Sequence, residues 1–215
     1  RIYINDNAGK SSKFAYCHIS GAKKAIEVYY NKVSVDNCVI KDCSVNGVYL
    51  NNSEFGSFTA NTISDCEEYP LVIPFLQATA VTSDNEISGI GICLTGENVG
   101  KKNGKVTVHE QTIPYVFGNG QWCFEINDNA EVTIEPGVTI AMPEDCFIRV
   151  GYYTSGKLTA VGTEEKPITF TSNLTDKAAG DWQGIYFDQY SSKSSALKNC
   201  HIEYAGGGDN GAVYV

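Results

Sequence analysis

The stretch VSVDNCVIKDCSVNGVYL, residues 33–50, decides the fold. It contains short apolar-x-apolar triplets, such as Val33-Ser34-Val35 and Val48-Tyr49-Leu50, separated by Asn-bearing corners at Asn37 and Asn46. Successive side chains of a strand point to opposite faces, so the outer members of each triplet face one way and the middle residue the other. Working outward, Val48-Tyr49-Leu50 belongs to a series: Ile2-Tyr3-Ile4, Ile26-Glu27-Val28, Val48-Tyr49-Leu50, Leu71-Val72-Ile73 and Ile92-Cys93-Leu94, with starts 24, 22, 23 and 21 residues apart. A second column runs Ile19, Ile40, Ile63, Ile87. Two residues before each isoleucine stand Cys17, Cys38, Asn61 and Asn85; five before stand Phe14, Val35, Phe58 and Thr82; three after stand Ala22, Cys43, Cys66 and Ile90. Several columns keeping step every 21–24 residues predict stacked coils of short parallel strands.

Other repeat architectures fit poorly. No 12-residue window holds a clean helical period, the chain has only seven Leu, and no hexapeptide repeat is present. An antiparallel sandwich also has short strands and frequent turns, but it does not predict the columns. The expectation is an all-β, right-handed parallel β-helix of about nine coils, since right-handed crossover is the default between parallel strands.

The pattern also restarts. At an offset of 183, Ile2-Tyr3-Ile4 meets Ile185-Tyr186-Phe187 and Cys17-His18-Ile19 meets Cys200-His201-Ile202. Four residues inserted at Gly206–Asp209 then bring Ala25-Ile26-Glu27-Val28 onto Ala212-Val213-Tyr214-Val215 at offset 187. This predicts a piece of a longer repeating chain, whose partner is the remainder of its own solenoid. The expected organisation is coils over 1–104, β-rich linking coils or a cap segment over 105–181, and a second set of coils from 182 to 215. Residues 95–105 (TGENVGKKNGK) and 173–181 (NLTDKAAGD) read as loops.

The segments ALKNCHIEYAGGGDNGAVYV (196–215), VSVDNCVIKDCSVNGVYL (33–50) and DWQGIYF (181–187) resemble the coils of pectin-lyase-like right-handed parallel β-helix proteins, especially secreted or surface-displayed repeat proteins of bacteria. NAEVTIEPGVTIAM (129–142) and GKLTAVGTEEKPITFTS (156–172) are similar to the segment that opens such a helix. The resemblance implies an extracellular or bacterial cell-surface location. It is specific for fold and not for activity, because this fold hosts lyases, hydrolases, adhesins and inert stalks.

Composition narrows the function. A net charge of −9 argues against nucleic acid and against anionic polysaccharide held by basic residues. No apolar run reaches 18 residues, so no transmembrane segment is expected. Four of the eight cysteines fall into inward columns, Cys17 with Cys38 and Cys43 with Cys66, which predicts stacked thiols, with disulfides as the alternative. There is no C-x-x-C, and no metal centre is expected.

The middle residues of the main column are Tyr3, Glu27, Tyr49, Val72 and Cys93, with Tyr186 and Tyr214 in the second copy. Tyr3, Glu27, Tyr49, Tyr186 and Tyr214 are the candidate ligand contacts, because an exposed Tyr ring stacks on a sugar; the bland alternative is simple β-propensity. A lyase needs clustered carboxylates and a base, and this face offers one carboxylate, with Lys23 or Lys24 nearby and only two Arg in the chain. Asp42 and Asp65, with Glu67 and Glu68, are weak catalytic candidates that stacked coils could bring together, or else solvated corner acids. His18 and His201 each follow a Cys, but neighbouring strand residues face opposite sides. His109-Glu110-Gln111-Thr112-Ile113 lacks the second His of a zinc-protease motif. Asn127-Asp128-Asn129 and Gly207-Gly208-Asp209-Asn210-Gly211 are turns that could also take calcium through oxygens. The expected function is a non-catalytic extracellular scaffold that contacts glycans; the alternatives are a polysaccharide lyase or glycoside hydrolase, and a passenger stalk of a larger adhesin or protease.

Overall fold

The computed structural model describes residues 1–6, 11–96, 104–118, 123–208 and 210–215, with only the backbone of Cys123. The loop read over 95–105 and the glycine turn at Asp209 fall largely or partly outside these residues. The chain forms two compact units: Arg1–Thr95 with Gln111–Pro114, and Gly96–Glu110 with Tyr115–Val215. Both are parallel β-solenoids, with about eight turns between them.

In the first unit each of the first three coils has three strands. The first sheet stacks Ile2–Ile4, Lys24–Tyr29, Asn46–Asn51, Leu71–Pro74 and Ile92–Thr95. Its register pairs Ile2 with Ile26, Ile26 with Val48, Val48 with Leu71 and Leu71 with Ile92, all parallel. The third sheet stacks His18–Ser20, Val39–Lys41, Thr62–Ile63 and Glu86–Ile87, so Ile19, Ile40, Ile63 and Ile87 form one column. The second sheet, Ser12–Ala15, Lys32–Asp36 and Glu54–Thr59, aligns Phe14, Val35 and Phe58. The inward residues Ile26, Val35, Ile40, Val48, Leu50, Ile63, Ile92 and Leu94 are buried.

Turning a corner between sheets requires a residue in the left-handed region. One corner uses Tyr16, Asn37 and Ala60, a second Tyr30 and Asn52, and a third Gly21, Asp42 and Asp65, all with φ between 45° and 66°. Asn and Asp tolerate this conformation and Gly adopts it freely. Asn46, expected at a corner, instead begins a strand that Asn51 ends, and the Asn46 amide donates to the Tyr69 carbonyl at 2.8 Å.

Just after the first of these corners, beside Asn37 and Ala60, a polar ladder replaces apolar stacking. The Asn61 Oδ1 accepts from the Cys38 N–H at 3.0 Å, and the Asn85 Oδ1 accepts from the Asn61 N–H at 3.1 Å. The Asn61 and Asn85 amides donate to the carbonyls of Val35 and Phe58. Each buried polar atom thereby finds a partner one coil away.

Two expected column positions do not hold. A 3-10 helix, Phe75–Ala80, takes the place of the second strand in the fourth coil, so Thr82 follows a helix and does not continue the Phe14–Val35–Phe58 column. Ile90 is 59% exposed, outside the Cys43–Cys66 column. Gly89 and Gly91 on either side have φ of 144° and 152°, open only to glycine, and they swing the intervening residue outward.

The second unit stacks Lys105–Val108, Ala130–Ile134, Gly156–Val161 and Ala196–Lys198 in one sheet, and Tyr115–Phe117, Thr139–Met142, Ile168–Ser172 and Cys200–Ile202 in another. Its third sheet holds Cys123–Ile126, Phe147–Val150, Gly184–Phe187 and Val213–Tyr214. Val106, Val132 and Leu158 align at steps of 26 residues, whereas Ile148 aligns with Ile185 because segment 173–181 lengthens that coil. The internal similarity has a structural counterpart. Ile185-Tyr186 pairs with Val213-Tyr214 as Ile2-Tyr3 pairs with Ile26-Glu27. Among the described residues no helix is long and apolar enough to cross a membrane.

Candidate functional site

The outer residues of the first sheet in the first unit line up as Tyr3, Glu27, Tyr49, Val72 and Cys93. Alternation puts them opposite the buried Ile and Val residues beside them. Tyr29, two residues beyond Glu27, shares their face. Glu27 nevertheless is only 4% exposed. Its Oε1 accepts from the Lys24 ammonium at 3.2 Å and from the Tyr29 hydroxyl at 3.0 Å, and its Oε2 pairs with the Arg1 guanidinium. Tyr29 lies between Tyr3 and Tyr49, at 5.6 and 6.0 Å between ring centroids. The Lys24 ammonium sits 3.9 Å over the Tyr49 ring and the Arg1 guanidinium 4.9 Å over the Tyr3 ring. Each cation therefore bridges one carboxylate and one aromatic face.

Burial pushes the Glu27 pKa up, but the hydrogen bonds from Lys24 and Tyr29 and the charges of Lys24 and Arg1 outweigh it and hold the carboxyl below its ordinary range. Burial, then the hydrogen bond to Glu27 and its charge, push Tyr29 up to about 12. At neutral pH the carboxylate is thus charged with both oxygens engaged, and the phenol keeps its proton. Neither is poised as a general acid or base, which requires a pKa near the working pH. What the cluster presents outward is ring surface and hydrogen-bond donors.

The expected open stripe of tyrosines is only partly open. Tyr3 is 53% exposed, Tyr49 lies half-buried beneath Lys24, and Val72 and Cys93 are buried. In the second unit the corresponding column reads Glu125, Arg149, Tyr186, Tyr214. Tyr186 is buried, stacked on Phe147 at 5.4 Å and met edge-on by Tyr214 at 6.1 Å. Arg149 bonds Asp188 through Nε at 2.8 Å and lies 3.8 Å over the Tyr152 ring. Tyr214 stays exposed.

Asp42 and Asp65 are corner residues on neighbouring coils, joined by parallel backbone pairing of Cys43 with Cys66, in which the Cys43 N–H donates to the Asp65 carbonyl. Their side chains are exposed; Asp42 faces Lys41 at 3.7 Å and Asp65 accepts from Ser64 at 2.8 Å. Glu67 and Glu68 are exposed and follow the same corner. The turn Asn127-Asp128-Asn129 is satisfied by its own chain: the buried Asn127 Oδ1 accepts from the N–H groups of Tyr152 and Tyr153, and Asp128 accepts from the Thr154 hydroxyl. His18 and His201 are exposed, and His109 Nδ1 meets Glu135 at 3.0 Å. Among the described residues no three His, Cys, Asp or Glu side chains gather to hold a metal ion.

Sequence reasoning missed Arg1 and Tyr29 as members of the Glu27 cluster. The signal for Tyr29 was its i+2 spacing from Glu27. It also missed a second buried carboxylate, Asp36, which accepts from Ser57 at 2.8 Å and Thr59 at 3.0 Å and faces Lys13 at 3.5 Å. The donors stand one coil away, at separations of 21 and 23 residues.

Stacked parallel coils with a polar ladder and an outward aromatic face define a β-helix protein. Residues 100–210 match the family model described as a pectate-lyase like beta helix domain, and the chain belongs to that family. No curated protein and no solved structure matches the chain.

Proposed function

We propose that this chain is a non-catalytic extracellular β-helix scaffold that contacts carbohydrate through the tyrosine-bearing outer face of its first unit. The observation that carries this reading is the state of Glu27. The carboxylate of that face is buried, held ionised and engaged at both oxygens, while Tyr3 beside it remains open to solvent. An amphipathic pyranose ring finds there an aromatic surface and cationic donors, but no acid–base pair. Asp42 and Asp65, the other acids that coil stacking brings near one another, point into solvent from left-handed corners.

The test has two arms. A glycan array with the intact chain should report binding, and Tyr3→Ala should weaken it. Incubation with pectin, alginate, chondroitin and neutral glucans, with calcium and without, should yield neither unsaturated product at 235 nm nor new reducing ends. Turnover that disappears on Asp42→Asn or Asp65→Asn would move the chain to the lyase or hydrolase class.

A further inference from the structure

The third sheet of the first unit is entered and left through sulfur. Cys17 and Cys38 stand immediately before the strands His18–Ser20 and Val39–Lys41, and the Val39 N–H donates to the Cys17 carbonyl at 2.9 Å. The two cysteines therefore stack in register on the first and second coils. Beyond the same sheet Cys43 pairs with Cys66 in parallel, on the second and third coils. The second coil thus carries a cysteine at each end of one strand, Cys38 matched to the coil before and Cys43 to the coil after. Parallel strands lie ~4.8 Å apart, inside the Cα range of about 4.4–6.8 Å that a disulfide spans. The side chains meet as well: the Cys66 thiol lies against that of Cys43, and the Cys38 thiol against that of Cys17.

Both pairs share one asymmetry. Cys38 and Cys43 are each 1% exposed, while Cys17 and Cys66 are part-exposed. A reagent in solvent reaches one thiol of each pair, and the other waits behind it. Packing by itself needs only a small side chain here. Ala22 fills the place of Cys43 one coil earlier, its carbonyl accepting from the Ser44 N–H as that of Cys43 accepts from Glu67. Elsewhere the cysteines stand singly: Cys93 is matched to Val72 and Cys200 to Ile168.

We propose that Cys17–Cys38 and Cys43–Cys66 are sites of reversible oxidation, at which a small-molecule disulfide converts each stacked thiol pair into a disulfide between coils. The part-exposed cysteine, as thiolate, attacks the reagent, forms a mixed disulfide and expels one thiolate. The buried partner gives its proton to solvent and attacks the cysteine sulfur of the mixed disulfide, which forms the protein S–S bond and expels the second thiolate. Each pair loses two electrons and two protons, and one reagent disulfide is reduced to two thiols. With both pairs closed, the second coil is tied to the coil before and the coil after, and three coils become one cross-linked block. Burial pushes the thiols of Cys38, Cys43 and Cys66 up, so closing is slow at neutral pH and quickens as pH rises.

The test uses the full chain, reduced, freed of reductant and held folded in oxidised glutathione at pH 8. It is then unfolded, alkylated, weighed intact and mapped as unreduced peptides. Two bridges should appear, Cys17–Cys38 and Cys43–Cys66, while Cys93 remains open to alkylation. The melting midpoint should rise by roughly 5–10 °C and fall back with dithiothreitol. Cys17→Ser should leave only the second bridge and Cys66→Ser only the first. Four alkylated thiols after oxidation overturn the inference. So does a glutathione adduct that stays on Cys17 or Cys66 with its partner still free, because the buried thiol would then be out of reach. Bridges that join other cysteines, or a midpoint lowered by closing, overturn it as well.

Discussion

Ile63 and Glu27 mark two opposite ways in which one residue is committed to its place. Ile63 is fully buried in a column between Ile40 and Ile87. A stacked coil cannot collapse into a hole without moving its neighbours, so Ile63→Ala should cost roughly 2–5 kcal/mol in urea denaturation. A loss no larger than that of the exposed Tyr3→Ala would show that the inward face is misassigned. Glu27 is held by charge instead. Its folded pKa lies below the ordinary carboxylate range, despite the opposing effect of burial, because Lys24, Tyr29 and Arg1 favour the carboxylate. A depressed folded pKa gives stability that is present above the unfolded pKa and is lost as pH falls through the folded one. Thermal melts from pH 7 to pH 3 should therefore show a steeper loss below about pH 4.5 for the native chain than for Glu27→Gln. Parallel curves would mean that the cluster does not hold the charge.

At the scale of the element, the third sheet is flanked by two kinds of stack with different chemistry. The Asn61–Asn85 ladder satisfies buried backbone groups that a corner leaves without sheet partners. Asn61→Ala orphans the Cys38 N–H and the Val35 carbonyl, at about 1–3 kcal/mol for each buried group left unsatisfied. Asn61→Ala should therefore lower the denaturation midpoint more than Asn52→Ala at an open corner. The cysteine stacks are apolar by comparison. The thiols of Cys17, Cys38, Cys43 and Cys66 are unbridged, with Cys38 and Cys43 buried. Burial pushes the thiols of Cys38 and Cys43 up and that of Cys66 up to about 12, so little thiolate exists at neutral pH. A thiol reagent at pH 8 should label these three slowly in the native chain. Unfolding in guanidinium without reductant should expose all four to rapid labelling, and failure of any of them to react would indicate a bridge.

For the molecule as a whole, the balance of 16 basic against 25 acidic residues sets what it repels. The resolved cations are mostly spent on carboxylates: Lys13 on Asp36, Lys24 on Glu27, Lys32 on Glu54, Arg149 on Asp188 and Lys166 on Glu110. A polyanion would have to displace these pairs against a net charge of −9. The chain should leave the mobility of duplex DNA unchanged at 0.15 M salt. A shift that weakens with added salt would reveal a basic surface that the ion pairs do not neutralise.

The sequence by itself determined the coils. In parallel stacking, residues one coil apart lie one strand spacing apart, so inward positions such as Ile19, Ile40, Ile63 and Ile87 face the same requirement and their likeness survives in the sequence. The outward column was legible in register for the same reason, from Tyr3 through Cys93. What the outward residues do was not legible. Burial of Glu27 depends on Arg1, Lys24 and Tyr29 folding over it, and a side chain's reach is set by rotamers and neighbours rather than by spacing. Asp42 and Asp65 read from the sequence either as acids that stacking could bring together or as solvated corner acids, because identity alone does not separate an acid placed for its charge from one placed for its tolerance of a left-handed turn; the backbone dihedrals put both at corners. Nor did the sequence indicate that Gln111 and Thr112 would return to the first unit, donating to the carbonyls of Val81 and Ile87. Periodic burial repeats from coil to coil and is written many times in the chain. A contact made once, by one side chain reaching one partner, leaves no period to read, and only the tertiary structure decides it.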